Sequence, residues 1–120
     1  MMMDKRTKGR IGEAAAVNYL KSINYRILDV NWETKTGEID IVAEAGDTVV
    51  FVEVKARASF KYGSPSEAVN YYKQRKLSFM SAQYIKTKKL FGRKARFDVI
   101  EIVGEHINHI VNAFESQVSF

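Results

Sequence analysis

Two acidic residues and a lysine on adjacent predicted strands are the strongest candidates for chemistry in this chain. Asp40 lies in the segment GEIDIVAE at 37–44, and Glu53 and Lys55 lie in VVFVEVKAR at 49–57. Carboxylates held close together repel each other, so such a pair is expected to bind a cation or to keep a proton. Because carboxylate oxygens suit hard divalent cations, the pair predicts a Mg²⁺ site, with Mn²⁺ as the alternative ion.

The turn between these strands predicts which residues face each other. Ala45-Gly46-Asp47-Thr48 has Gly-Asp at its centre, which suits a two-residue hairpin loop that pairs residue 45 with residue 48. This register places Asp40 opposite Glu53 and Glu38 opposite Lys55, and side-chain alternation puts Asp40, Glu53 and Lys55 on one face. The competing interpretation is a chance pair of acids neutralised by nearby cations, with Glu38 and Lys55 forming an exposed ion pair.

Together these residues predict the hydrolysis of a phosphodiester. Asp40 and Glu53, with the backbone carbonyl of Val54, would hold a metal that lowers the pKa of a water and neutralises charge at the phosphate. Lys55 would orient the water or stabilise the developing negative charge.

A fourth candidate, Glu13, lies on a predicted helix. Helical spacing puts Glu13 on a stripe of small and apolar residues that should face the sheet: Gly9, Ala16, Val17 and Leu20. A buried glutamate is costly unless it is paired or coordinated, so Glu13 is predicted to hold a second metal or to reach the first through a water. The alternative is an interaction with the helix dipole or with Arg10.

Basic residues are unevenly distributed in this chain of net charge +5, and no acidic residue occurs between residues 68 and 97. The skew predicts a polyanionic partner, nucleic acid and most simply DNA, bound mainly through its phosphates; the alternative is charge that serves solubility. The residues predicted to contact it are Arg57, Lys73, Arg75, Lys76, Lys86, Lys88, Lys89, Arg93 and Lys94.

Length and composition predict one α/β domain over residues 1–120, with a loose tail from about residue 115. Hydrophobic residues make up 46% of the 120 residues, and the absence of cysteine excludes disulfides and cysteine-ligated metal or iron–sulfur sites. No apolar run approaches the roughly 18–20 residues that span a bilayer, so we expect a cytoplasmic protein without a membrane partner. Periodicity predicts the order α-β-β-β-α-β-β: a helix at about 7–24, strands near 25–32, 38–44 and 48–56, a helix capped by Ser64 and ending near 88, and strands near 96–103 and 107–114.

Asp40 followed by Glu53-x-Lys55 resembles the PD-(D/E)xK nuclease motif, with Ile39 in place of the proline. Over nearly the whole chain the sequence resembles the YraN family, small bacterial proteins similar to Holliday-junction resolvases. The match is carried by Gly12-Glu13-Ala14-Ala15, Asn31-Trp32, Gly37-Glu38-Ile39-Asp40-Ile41, the segment from Val50 to Arg57, Arg75-Lys76-Leu77, Arg96-Phe97-Asp98-Val99 and Asn112-Ala113-Phe114. The resemblance implies a restriction-endonuclease-like core, nuclease positions at Glu13, Asp40, Glu53 and Lys55, and branched or structured DNA as substrate.

Several residues have a structural prediction beside a functional one. Asp98 is expected to pair with Arg96 or to contact the site, and His106 and His109 are expected on opposite faces of a strand, where they cannot share a metal. The aromatic residues that could stack on unpaired bases, or instead anchor core and loops, are Trp32, Phe60, Tyr62, Tyr71 and Tyr72.

Two other function classes stay open at this point. A nucleic-acid-binding module that keeps the fold without cutting predicts salt-sensitive binding that needs no metal. An interaction scaffold would use its basic face to meet an acidic protein. A homodimer is also expected if the protein cuts two strands, since a two-fold axis presents two sites.

Overall fold

The computed structural model describes residues 5–58 and 69–116, with side chains from Gly9 onwards in the first helix. In chain order the elements are α1 (Lys5–Ser22), β1 (Arg26–Thr34), β2 (Gly37–Ala45), β3 (Thr48–Ala56), α2 (Tyr71–Thr87), β4 (Lys94–Val103) and β5 (His106–Phe114). The predicted order of helices and strands is therefore confirmed.

The five strands form one mixed sheet in the order β1-β2-β3-β4-β5. Strands β3 and β4 are parallel, and every other neighbouring pair is antiparallel. Parallel neighbours need a crossover connection, and α2 lies within it. The α/β class, with a mixed central sheet flanked by helices, is confirmed.

Each face of the sheet has its own hydrophobic core. The core on the α2 face contains Phe51, Phe97 and Tyr84, and the core on the α1 face contains Leu20 and Val52. Neighbouring residues of β3 supply opposite cores, which explains why this strand is an almost continuous apolar run. A polar side chain near the end of β3 must therefore enter one of two covered faces.

The second helix begins later than the sequence predicts. Its N-cap is Asn70, whose side-chain oxygen accepts a hydrogen bond from the backbone N–H of Lys73 at 2.9 Å. The predicted capping residue Ser64 and the aromatic residues Phe60 and Tyr62 lie outside the described residues. Within the described ranges, no helix combines the length and apolarity needed to cross a bilayer.

Candidate metal centre

The hairpin forms in the predicted register, from Ala45 opposite Thr48 to Ile41 opposite Val52. The described pairing ends one step before Asp40 and Glu53. There the Asp40 carboxylate accepts a hydrogen bond from the backbone N–H of Val54, with 2.8 Å between Oδ2 and N. A side chain thus replaces the backbone acceptor at the point where β2 leaves β3.

Three carboxylates from two elements meet at this opening. Glu13 of α1, with Glu38 and Asp40 of β2, each place a carboxylate oxygen within 4.8 Å of the other two. Glu13 is buried, at 9% relative exposure, on the same face as Ala16 and Leu20, as its helical stripe predicts. Sequence reasoning considered Glu38 only in the competing interpretation, as an exposed partner of Lys55, and so missed it as a site residue. Its spacing of two from Asp40, which favours one side of a strand, was the available signal.

Arg10 and Asn31 contact the acids from the α1 side. The Arg10 guanidinium lies 3.0 Å from Glu13 Oε1 and 3.3 Å from Glu38 Oε1, so the predicted alternative pairing of Glu13 with Arg10 is present. The Asn31 amide donates to Glu13 Oε1 at 2.8 Å. Asn31 has a φ of 52°, a left-handed conformation that asparagine tolerates better than most residues.

Glu53 enters the other face of the sheet. Its Oε1 lies 3.7 Å from Lys55 Nζ and 3.6 Å from Lys73 Nζ of α2, while its side chain is only 7% exposed. Its second oxygen, Oε2, is buried and has no hydrogen-bond partner among the described residues. Lys55 therefore shares a face with Glu53, as predicted, and Asp40 has carboxylate oxygens of Glu13 and Glu38 within 4.8 Å of its own.

The pKa of Asp40 is affected by Glu53 on one side and by Glu13 on the other. Burial, and then the negative charge of Glu53, raise the pKa of Asp40 to about 8; Glu13 adds to the rise, and the Val54 hydrogen bond opposes it. Burial also raises the pKa of Glu53, against the opposing effect of Lys73 and Lys55. The metal-free centre therefore holds a proton at neutral pH that ordinary carboxyl groups have lost.

A second buried aspartate shows how the same fold satisfies a carboxylate completely. Asp98 is fully buried, and its oxygens lie 3.0 Å from Arg96 Nε, 2.7 Å from His109 Nε2 and 3.0 Å from the backbone nitrogen of Asn112. Burial alone would raise the pKa of Asp98, but these hydrogen bonds outweigh it and lower the pKa. The predicted pairing of Asp98 with Arg96 is confirmed. In the part of the chain that the structure describes, Asp40 has no comparable set of donors.

We expect Asp98→Ala to lower the free energy of unfolding by about 3–5 kcal/mol, because it removes the buried carboxylate that Arg96, His109 and the Asn112 backbone share and leaves these donors without their partner. Urea unfolding at pH 7 measures the loss. Because the folded-state pKa is depressed, the contribution of Asp98 is present above its unfolded pKa and disappears as pH falls through the folded value. Asp47→Ala, at a turn position with a 74% exposed side chain, is the control and should change little. Equal loss in both variants would contradict the structural role.

The stability of the metal-free protein is expected to fall as pH rises from about 4 to about 8. In that window the folded state retains the Asp40 proton while the unfolded chain has lost it, so the slope is negative and reaches up to about 1.4 kcal/mol per pH unit for one group. Urea unfolding in EDTA across this range measures it. Asp40→Asn should reduce the slope, and an unchanged slope would show that Asp40 is ionised in the folded protein.

The donor set fits a hard dication. Four carboxylates, Glu13, Glu38, Asp40 and Glu53, have only three cationic side chains within salt-bridge distance among the described residues, and none of these bridges involves Asp40. Oxygen ligands of this kind suit Mg²⁺ or Mn²⁺. A strand residue projects its N–H and C=O towards the same neighbour, so the Val54 carbonyl also faces the side of Asp40, as its predicted ligand role requires.

Some of the residues predicted to contact nucleic acid form ion pairs with acidic residues, and others do not. Lys73 Nζ lies 3.6 Å from Glu53 Oε1, and Arg57 pairs with buried Glu101 at 3.4 Å. Lys88, Arg93 and Lys94 pair with acids of β1, β2 and the hairpin turn. Lys86 and Lys89 are exposed, and Arg75 and Lys76 lie along α2. The basic segment is thus partly neutralised by acids distant in sequence.

Comparison with known proteins finds many sequences similar to this chain, and they share one family description. The model of the uncharacterised protein family UPF0102 matches residues 12–102. A UPF0102 protein of Alkaliphilus oremlandii is 51% identical over 112 residues, covering 88% of this chain and 96% of that protein. One from Clostridioides difficile is 45% identical over 114 residues, covering 93% and 100%.

Among solved structures, Pyrococcus furiosus SfsA in complex with Ca²⁺ is similar at 13% identity and a TM-score of 0.36. The alignment covers 96% of this chain and 65% of the SfsA chain.

Proposed function

This chain belongs to the uncharacterised protein family UPF0102, the YraN family, and we propose that it is a metal-dependent endonuclease that hydrolyses phosphodiester bonds in DNA. The observation that carries the proposal is the convergence of Glu13, Glu38 and Asp40 at the point where β2 leaves β3, with Glu53 near enough for its charge to raise the pKa of Asp40. The buried, unpartnered Oε2 of Glu53 is independent support, since a buried charge is costly without a ligand.

The contrast between two aspartates strengthens the proposal. Asp98 is buried among cationic and hydrogen-bond donors, whereas the acids around Asp40 exceed their cations. In the metal-free protein a proton on Asp40 offsets this difference, and ionisable groups with perturbed pKa values cluster at functional sites. A dication would take the place of that proton.

In the proposed reaction each residue has a distinct role. Asp40 and Glu53 would bind Mg²⁺ or Mn²⁺, with the Val54 carbonyl as a further ligand and Glu13 for a second ion or a bridging water. The ion would neutralise charge at the scissile phosphate and make water more acidic. Lys55, held by Glu53, would place its ammonium where negative charge develops during hydrolysis.

Cleavage assays with labelled single-stranded, duplex and four-way-junction DNA test the proposal. Cleavage is expected with Mg²⁺ or Mn²⁺ and not with EDTA, and the branched substrate tests the preference implied by the resemblance. Absence of cleavage on every substrate with either ion would overturn the catalytic proposal.

A second candidate is a nucleic-acid-binding module that does not cut, and the position of Arg10 favours it. Its guanidinium already bridges Glu13 and Glu38 and so supplies part of the positive charge that a metal would bring. The two candidates differ in metal binding. The nuclease predicts that Mg²⁺ raises the melting temperature at pH 7.5, and the module predicts no change.

A further inference from the structure

A groove runs along the outer side of α2, between that helix and the β1–β2 turn. Its first part has a volume of about 620 Å³ and is lined by Thr36, Tyr72, Arg75, Lys76, Phe79 and Gln83. An adjoining part of about 640 Å³ shares Thr36 and Gln83 and extends to Lys35, Lys86 and Thr87. We call the two parts together the α2 groove.

Two aromatic rings of the α2 groove are exposed to solvent. Tyr72 is 74% exposed and Phe79 is 49% exposed. They are seven residues apart, which places them on one helical face two turns apart. The Arg75 guanidinium lies over the Phe79 ring at 5.1 Å from its centroid, so this ring is paired with a cation that can itself stack on a base.

The charge of the groove suits a polyanion. The sequence of α2 contains no acidic residue. Within the described parts of the chain, its cations Arg75, Lys76 and Lys86 form no salt bridge, unlike Lys73, which pairs with Glu53. Of the described residues that line either part, only Glu33 is acidic.

One end of the groove is next to residues that adjoin the acidic centre. A Cβ on Gly37 would come within 3.1 Å of Lys76 Nζ, so the Lys76 side chain lies against the backbone next to Glu38. Tyr72 precedes Lys73, whose ammonium contacts Glu53. A nucleic-acid strand lying in the groove would therefore end near the residues that carry the carboxylates.

We propose that the α2 groove binds a single-stranded nucleic-acid segment, with unpaired bases stacked on Tyr72 and Phe79. Arg75 and Lys76 contact its phosphates. From Tyr72 to Thr87 the helix spans roughly 22 Å, about the length of six stacked nucleotides. Bases of a continuous duplex are hidden in its stack, so these rings favour substrates with unpaired regions. The inference rests on the proposed function only in that the bound nucleic acid would be cut at the acidic centre.

The test measures binding in EDTA, where cleavage cannot occur. Fluorescence anisotropy compares a 20-nucleotide thymidine oligomer with an abasic oligomer of the same length, which keeps the phosphates but has no bases, and with a 20-base-pair duplex. We expect the wild-type protein to bind the thymidine oligomer most tightly. Tyr72→Ala should weaken that binding about 5- to 150-fold and leave the abasic oligomer unaffected.

Tyr71→Ala is the matched control, since Tyr71 is the adjacent residue, is 63% exposed and does not line the groove. It should bind as the wild type does. Equal binding of the thymidine and abasic oligomers, tighter binding of the duplex, or equal loss in Tyr71→Ala and Tyr72→Ala would overturn the inference. Metal-dependent cleavage together with any of these results would leave the nuclease proposal intact, and groove binding without cleavage would leave only the binding inference.

Discussion

Asp40→Asn is expected to abolish DNA cleavage and, in the same preparation, to make the metal-free protein more stable at pH 8. The two effects have one cause. The Asp40 carboxyl is buried beside Glu53 and Glu13, which raises its pKa and makes its ionised form costly in the absence of a metal. Asparagine removes that cost together with the negative oxygen ligand.

The activity loss should exceed the roughly 10–100-fold that follows loss of a residue that only supports a metal ligand. Single-turnover cleavage measures the loss, and urea unfolding in EDTA measures the stability gain. The amide oxygen of the substituted side chain can still accept the Val54 hydrogen bond, so the fold at the strand opening should persist.

Asp47→Asn is the matched control because Asp47 is an exposed acid in the same hairpin, paired with Lys94 at 3.5 Å. It should cleave like the wild type and gain no stability at pH 8. If Asp40→Asn retained cleavage, or lost both cleavage and stability, Asp40 would be a structural residue rather than a metal ligand.

The hairpin and the element order were predictable because they depend on local patterns. A Gly-Asp turn fixes the pairing of Ala45 with Thr48, and each further pair follows by counting. The burial of Glu13 followed from helical spacing in the same way. These features need no knowledge of distant partners.

The contacts that sequence reasoning missed are non-local or depend on backbone irregularity. The Asn31 side chain donates to Glu13 from a backbone in the left-handed conformation, and the residue pattern of β1 does not predict that conformation. Arg57 was assigned to nucleic acid, and its pairing with Glu101 arises from the parallel alignment of β3 and β4. Glu38 and Asp40 share a side of β2 by their spacing, but their meeting with Glu13 depends on how α1 packs on the sheet, which the strand register does not predict.

The site therefore differs from the predicted arrangement in a way that affects its chemistry. A regular ladder would place Asp40 and Glu53 on one face, with Lys55 beside both. Here Glu53 contacts Lys55 and, on the α2 side, Lys73. Asp40, whose pKa is raised by the charge of Glu53, also meets Glu13 and Glu38 from the α1 side. Two lysines, one from β3 and one from α2, contact the same Glu53 oxygen, so their roles have to be separated by experiment.

Lys55→Met is expected to lower the cleavage rate about 10²–10³-fold while metal binding persists at pH 8. The ammonium of Lys55 is the charge that the proposal assigns to the developing negative charge on the phosphate, and methionine keeps the length of the side chain without the charge. Single-turnover rates give the effect on chemistry, and the Mg²⁺-dependent rise in melting temperature gives metal binding. The higher pH matters because Lys55 lowers the pKa of Glu53, and its removal lets that acid keep its proton longer.

Lys73→Met is the comparison that separates the two lysines, since both ammonium groups lie within 3.7 Å of the same Glu53 oxygen. If Lys55 acts on the reacting phosphate and Lys73 only balances charge, the Lys73 variant should lose much less than about 10²-fold and recover with more Mg²⁺. Lys94→Met, with a 75% exposed lysine, controls for loss of surface charge. A large loss of cleavage in Lys73→Met, with a nearly normal rate in Lys55→Met, would transfer the catalytic role to Lys73. That lysine is on α2, the helix that lines the proposed groove for the nucleic-acid strand.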